Sequence, residues 1–155
     1  ATLRERGAEK VELPELLRES DVVSLHCPLS PATRGMMGAA AFAAMKPGAV
    51  FVTTARGSIH DEAALLAALE SGHLAGAGLD VWEQEPPPPA HGLLHHPAVI
   101  ASQHIAGVTQ ESRSNITRIA ALAFAELAGG RLPPRIVNPA AIPAFEAKWQ
   151  ARLQR

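Results

Sequence analysis

The sequence predicts an α/β fold, a parallel sheet whose strands alternate with helices. Short apolar runs at residues 21–27, 49–55, 76–81 and 99–102, the first of them β-branched, alternate with Ala- and Leu-rich stretches of helical character. Such alternation builds parallel sheets with right-handed crossovers. Residues able to do chemistry stand at or just beyond the ends of those runs. In sheets of this kind the strand ends face one common crevice, where ligands bind.

Each element follows from local pattern. The chain starts at Ala1 in sequence that reads as a helix interior, so residues are expected before it. Residues 15–20 (ELLRES) form a short helix that feeds the first buried strand, Asp21 to Cys27. Ala39 to Met45 is helical and is stopped by Pro47-Gly48. Ala49 to Ala55 is the second strand. Asp61 caps a helix that runs through Glu70 and ends at Ser71-Gly72. Gly76 to Val81 is the third strand, and Val99 to Ser102 the short fourth. Between them, Pro86 to Pro89 form an extended connector, because proline neither continues a helix nor pairs in a sheet centre, and residues 91–96 continue that loop. Thr109 caps a long helix through about Ala128, with Ile116, Ile119, Ala120, Ala123 and Leu127 on one apolar face. A last helix spans Ala144 to about Leu153, with Phe145, Trp149 and Leu153 spaced for packing.

Composition narrows the function. The chain has 155 residues, 47% hydrophobic and 19% charged, with a net charge of -1. That is an ordinary globular profile. Near-neutral charge offers no electrostatic case for nucleic acid or an anionic membrane. Cys27 is the only cysteine, so no intrachain disulfide forms, and a reducing cytoplasm is the simplest compartment. No apolar run is long enough to span a bilayer, and no signal-peptide pattern opens the chain.

Three segments carry the chemistry: Thr54-Ala55-Arg56-Gly57, Asp80 through Pro86 (DVWEQEP), and His104-Ile105-Ala106-Gly107. They bring a permanent cation, a carboxylate and an imidazole. Arg56 presents a planar fork suited to a substrate carboxylate; the plainer reading is a structural pair with an acid such as Asp61. His104 has the chemistry of a general acid–base, against a satisfied loop histidine. Glu85 would orient the imidazole, with Glu83 as its rival. Asp80 closes the third strand and reads equally as a ligand for an amide group or as a turn cap. Cys27 precedes Pro28 and offers backbone rather than a reactive thiol. His91, His95 and His96 have no metal-site spacing and read as a solvated loop.

At this point the residues become recognisable. DVVSLHCPLSPATRGMMG, MKPGAVFVTTARGSIHDEAALLAALESGHLAGAGLDVWEQEPP and SQHIAGVTQES resemble the NAD-binding domain of the D-isomer-specific 2-hydroxyacid dehydrogenases, over about residues 12–128. Phosphoglycerate dehydrogenase and glyoxylate/hydroxypyruvate reductase are members of that family. The resemblance implies the C-terminal half of a Rossmann-type doubly wound parallel sheet, followed by C-terminal helices. It implies a partial NAD-binding domain at 1–128 and a C-terminal tail and helix at 129–155 that belongs to or packs on the substrate domain. The catalytic Arg, Glu and His fall on Arg56, Glu85 and His104. Cofactor contacts fall on Cys27, Thr54, Ala55, Arg56, Asp80, His104, Ile105, Ala106 and Gly107, and no metal is implied. Ala106 stands where the family commonly has Gly, and Val108 where it commonly has Ala. The implied cofactor is NAD, with NADP open; the partner is a small 2-hydroxy or 2-oxo acid, and the complete protein is a homodimer.

One expected feature is missing. No Gly-x-Gly-x-x-Gly occurs in the chain, so the turn that cradles the pyrophosphate, with the strands around it, is absent. Strand Asp21 to Cys27 is then an unpaired apolar edge. The isolated chain is expected to bind NAD weakly or not at all, to lack dehydrogenase activity and to self-associate. The rival reading is a non-catalytic remnant that acts as an association or scaffold module.

Overall fold

Four short strands lie side by side in chain order, each parallel to the next: β1 (Val22–Leu25), β2 (Val50–Thr53), β3 (Gly76–Leu79) and β4 (Val99–Ala101). The structure, a computed structural model, describes residues 4–153. The helix interior read at Ala1 falls outside them, as does the Leu153 side chain. The register aligns Leu25, Thr53, Leu79 and Ala101 in one row across the sheet. The segments that follow those four residues therefore leave the sheet along a common line, and all the candidate residues lie on them.

The crossovers are α1 (Leu13–Glu19) leading into β1, α2 (Ala39–Ala44), α3 (Glu62–Glu70) and the single-turn α4 (Gly92–His95). Their apolar sides and one face of the sheet make the core. Val23, Leu25, Phe51, Ala77 and Leu79 meet Leu17 of α1, Phe42 of α2, Leu65 and Leu69 of α3 and Leu93 of α4. Phe42 and Phe51 pack edge to face, 5.2 Å between centroids. The expected stops hold: Asp61 accepts from the Ala64 N–H at 2.9 Å to cap α3, and Gly72, with φ 72°, turns the chain out of it after Ser71. Among the described residues up to Ala106, no element covers the other face of the sheet. Val22 is 58% exposed and Ile100 82%, where a doubly wound sheet covers both sides.

Residues 91–96 do not simply extend the proline connector; Gly92–His95 form α4, and Leu93 is fully buried. The proline run hides the helical turn because a single buried Leu has no periodicity to read. Inside the core, His60 is 3% exposed, lies 5.7 Å from the Phe51 ring and has neither ring nitrogen hydrogen-bonded. Burial pushes its pKa down, against the opposing charges of Glu62 and Asp61.

The chain divides into two compact units, Ala1–Ala106 and Gly107–Arg155. The second holds α5 (Gln110–Ala128) and α6 (Ile142–Leu153). Thr109 and Ser112 form a reciprocal capping box on α5. The apolar face expected on α5 is real as a pattern but only partly covered: Ala123 and Leu127 are half-buried, no residue of α5 is buried, and Ile116 is 66% exposed. In α6, Phe145 and Trp149 stack at 6.1 Å, and the Trp149 indole lies against Gly130.

Candidate active site

Beyond Leu79 the chain makes a turn that is organised from within. Asp80 is 4% exposed. Its Oδ1 accepts from the Ser102 hydroxyl at 2.5 Å and the Ile105 N–H at 2.8 Å, and its Oδ2 accepts from the Ala106 N–H at 2.9 Å. The Asp80 carbonyl accepts from the His104 N–H at 2.7 Å. His104 stands at φ 58°, in the left-handed region that a non-glycine residue enters at a cost. Four hydrogen bonds to one aspartate thus hold the segment after β4 in an otherwise unfavourable shape. Burial by itself would raise the Asp80 pKa; the bonds from Ser102, Ala106 and Ile105 outweigh it and hold the carboxyl below its ordinary value.

That shape presents His104 to Glu85. The His104 Nδ1–H donates to Glu85 Oε2 at 2.8 Å, and both side chains stay about 40% exposed, at 41% and 39%. Glu85 Oε1 accepts from the Trp82 N–H at 3.1 Å. The hydrogen bond to His104 first, and the one from Trp82 next, lower the Glu85 pKa, with a smaller Coulombic effect from Arg56. Glu83, the rival for this role, has no side-chain bond to His104 among the described residues; its backbone N–H donates to Glu62 Oε1 at 2.8 Å. Because an ionised carboxylate only accepts, Glu85 fixes the proton of a neutral His104 on Nδ1. The Nε2 atom makes no hydrogen bond among the described residues.

Arg56 leaves the end of β2. Its guanidinium donates to the Ala55 carbonyl at 2.6 Å and forms no ion pair among the described residues; Asp61, the structural partner considered for it, is occupied in capping α3. The residue after it, Gly57, lies directly on the Trp82–Glu83 peptide. A Cβ at Gly57 would stand 1.9 Å from the Trp82 carbonyl carbon. Arg56 and Glu85 are therefore held by one packed junction.

Cys27, Thr54, Ala55 and Arg56 line a cleft of about 470 Å³ with His26, Pro28 and Leu29, at the ends of β1 and β2. Ala55 is 8% exposed, so it would offer a ligand only backbone. Ile105 and Ala106 carry the turn that Asp80 ties. Gly107 opens the second unit; its carbonyl accepts from the Ser112 hydroxyl at 2.7 Å, and nothing lies within 4 Å of where its Cβ would be. The histidines read as a solvated loop have partners: His91 is 21% exposed and donates to Glu62 Oε2 at 3.0 Å, and His95 bonds the Pro89 carbonyl at 2.7 Å. Sequence reasoning missed Ser102, Trp82, Glu62 and Gly57. Each acts across about twenty residues or more of chain, and no local spacing signals such a contact.

Residues 1–106 match the family described as D-isomer specific 2-hydroxyacid dehydrogenase, NAD binding domain. The chain belongs to this family. It is 44% identical over 135 residues to a glyoxylate reductase of Korarchaeum cryptofilum, covering 87% of this chain and 41% of that one. Among solved structures, the TT0316 protein of Thermus thermophilus superposes with a TM-score of 0.80 at 42% identity, over 83% of this chain and 41% of the other. A D-isomer specific 2-hydroxyacid dehydrogenase from Xanthobacter autotrophicus, in complex with NADPH and MES, does so with a TM-score of 0.69 at 37% identity, over 83% and 52%. The chain spans about two fifths of the length of the curated relatives it matches.

The family's cofactor can be tested against these residues. Asp80 Oδ2 accepts one hydrogen bond and keeps a lone pair for a carboxamide NH₂. The neighbouring cleft has an exposed hydroxyl at Thr54 and an exposed guanidinium at Arg56. These groups fit the nicotinamide and its ribose. A pyrophosphate calls for a glycine-rich turn into a helix, which the sequence does not contain.

Proposed function

We propose that this chain supplies the catalytic, nicotinamide-side part of an NAD(P)-dependent oxidoreductase that acts on the CH–OH group of a D-2-hydroxy acid. The observation that carries the reading is the 2.8 Å bond from His104 Nδ1 to Glu85, which leaves Nε2 available. Cys27, Thr54, Ala55, Arg56, Asp80 and the His104–Gly107 turn would hold the cofactor. When bound, it donates or accepts the hydride. In the reducing direction His104 Nε2 gives its proton to the substrate carbonyl oxygen; in the oxidising direction it withdraws the hydroxyl proton. Glu85, ionised near neutrality even at its ordinary pKa and held lower still by its hydrogen bond to His104, balances the imidazolium. Arg56 clamps the substrate carboxylate.

In this reading residues 1–128 form the partial cofactor domain and 129–155 belong with the substrate domain. The complete protein is a cytoplasmic homodimer. The test uses a chimera that joins the N-terminal part of the Korarchaeum relative to this chain, assayed with glyoxylate and NADH. His104→Ala should lower turnover by roughly 10²–10⁴-fold, the contribution of a general acid–base, while cofactor binding survives. Turnover within a few fold of the parent removes His104 from the mechanism. The exposed Val22 and Ile100 on the open sheet face favour a second reading, a non-catalytic association module. Calorimetry with NAD separates the two, since only the first binds it in the chimera.

A further inference from the structure

We propose that Glu62 and His91 are positioning residues for the Glu85–His104 pair, a reading that rests on the function proposed above. Glu62 is the first residue of α3, fixed by the Asp61 cap and by Leu65, which is fully buried one turn on. Its carboxylate is 12% exposed and divides between two partners. Oε1 accepts from the Glu83 N–H at 2.8 Å and Oε2 from His91 Nε2 at 3.0 Å. The His91 ring stands edge-on to Trp82, with centroids 5.6 Å apart and planes at 75°. His91 Nδ1 is buried without a partner. The tautomer protonated on Nε2 therefore pairs the only N–H and leaves just a lone pair unmet.

Both contacts converge on the two residues that hold Glu85. The Trp82 N–H bonds Glu85 Oε1, and the Trp82 indole N–H donates to the Ser102 carbonyl at 2.9 Å. Ser102 in turn donates to Asp80, which shapes the turn carrying His104. Trp82 is thus tied to both sides of the pair, and Glu62 with His91 clamps Trp82–Glu83 from the far side. Neither clamp residue is bonded to Glu85 or His104. Their effect runs through backbone position, as supporting groups do when they lock a catalytic residue.

The test reads the Glu85 side-chain carboxyl by ¹³C NMR titration in this 155-residue chain. Glu62→Gln keeps size but cannot accept at both positions. It removes a negative charge, and charge removal alone would lower the Glu85 midpoint. Loss of positioning instead weakens the bonds from His104 and Trp82, so the midpoint should rise toward the ordinary 4.5. His91→Phe, which keeps the ring against Trp82, should raise it by less. A fall or no change in Glu62→Gln overturns the proposal. Independently of any variant, the Glu83 amide must be protected from hydrogen exchange in the native chain, and exchange at the unprotected rate overturns it too. His104→Ala is the reference. If that variant leaves the Glu85 midpoint in place, the Glu85–His104 pair itself is wrong; if it raises the midpoint while Glu62→Gln does not, only the positioning role falls.

Discussion

Gly57→Ala should disable the site without touching any residue that meets substrate. A Cβ at this position would lie 1.9 Å from the Trp82 carbonyl carbon, 2.0 Å from its oxygen and 2.4 Å from the Glu83 nitrogen. Ordinary van der Waals contact begins at 3.4 Å, so the junction must open by about 1.5 Å. Backbone stands on both sides, and no flexible side chain can swing away. The strain should cost on the order of 1–3 kcal/mol, the usual range for overpacking. The shift carries Trp82–Glu83 away from Arg56, and Glu85 moves with them. A misplacement of about 1 Å costs on the order of 10²-fold in rate. Two assays check this. Chemical denaturation should show a lower midpoint at unchanged slope. In the chimera, turnover should fall roughly a hundredfold, with glyoxylate affinity reduced as Arg56 shifts. Near-parental stability and turnover would refute the close approach and, with it, the idea that one junction aligns the cation and the carboxylate.

Asp80→Asn loses the charged acceptor of three hydrogen bonds and should destabilise the chain by about 1–3 kcal/mol. Because the folded pKa of Asp80 is depressed, its stabilisation is present above the ordinary 3.8 and is lost as pH falls through the lower folded value. Denaturation curves from pH 6 to 2 should therefore lose part of their acid limb in the variant. His60 also has a depressed folded pKa, so the unfolded chain takes up its proton first and stability begins to decline as pH drops below 6.5. His60→Leu should flatten that earlier limb, and an unchanged profile between pH 6.5 and 5 would show that His60 is not buried neutral. The isolated chain should bind NAD weakly or not at all by calorimetry, since the pyrophosphate lacks its helix N-terminus. It should also self-associate in sedimentation, and Val22→Lys with Ile100→Lys should reduce that association; a clean monomer with micromolar NAD affinity would contradict both expectations.

Element types were legible where pattern is local. The Asp61 and Thr109 caps, the helix end at Ser71-Gly72 and the four apolar strands all lie where spacing and capping chemistry put them. What escaped was set by tertiary contact. α4 is a single turn held by Leu93, too short for a period to emerge. The α5 stripe is a valid amphipathic pattern, but a pattern names a face and not what covers it. At the site, Arg56, Glu85 and His104 were recognisable by chemistry and motif. The choice of Glu85 over Glu83 rested on motif position; in the fold the Glu85 carboxylate meets His104 and the Trp82 N–H, contacts that no local spacing signals. Asp80 was open between ligand and cap, and three of its acceptor positions go to the turn.

The arrangement also explains why His104, the proposed acid–base residue, sits at an unfavourable backbone angle. After Ala101 the chain must reverse quickly enough to bring an imidazole back over the strand ends, and His104 at φ 58° makes that reversal. The same residue then serves as hinge and as chemistry, so its cost of about 1–3 kcal/mol has to be met locally. Asp80 meets it, since hydrogen bonds to a charged acceptor are worth more than neutral ones. Ser102 links the carboxylate to Trp82, Trp82 holds Glu85, and Glu85 returns to the His104 ring. The circuit closes on itself within 25 residues of chain, Asp80 to His104. Its ring orientation is therefore set by the fold of this segment and does not wait for a ligand to impose it.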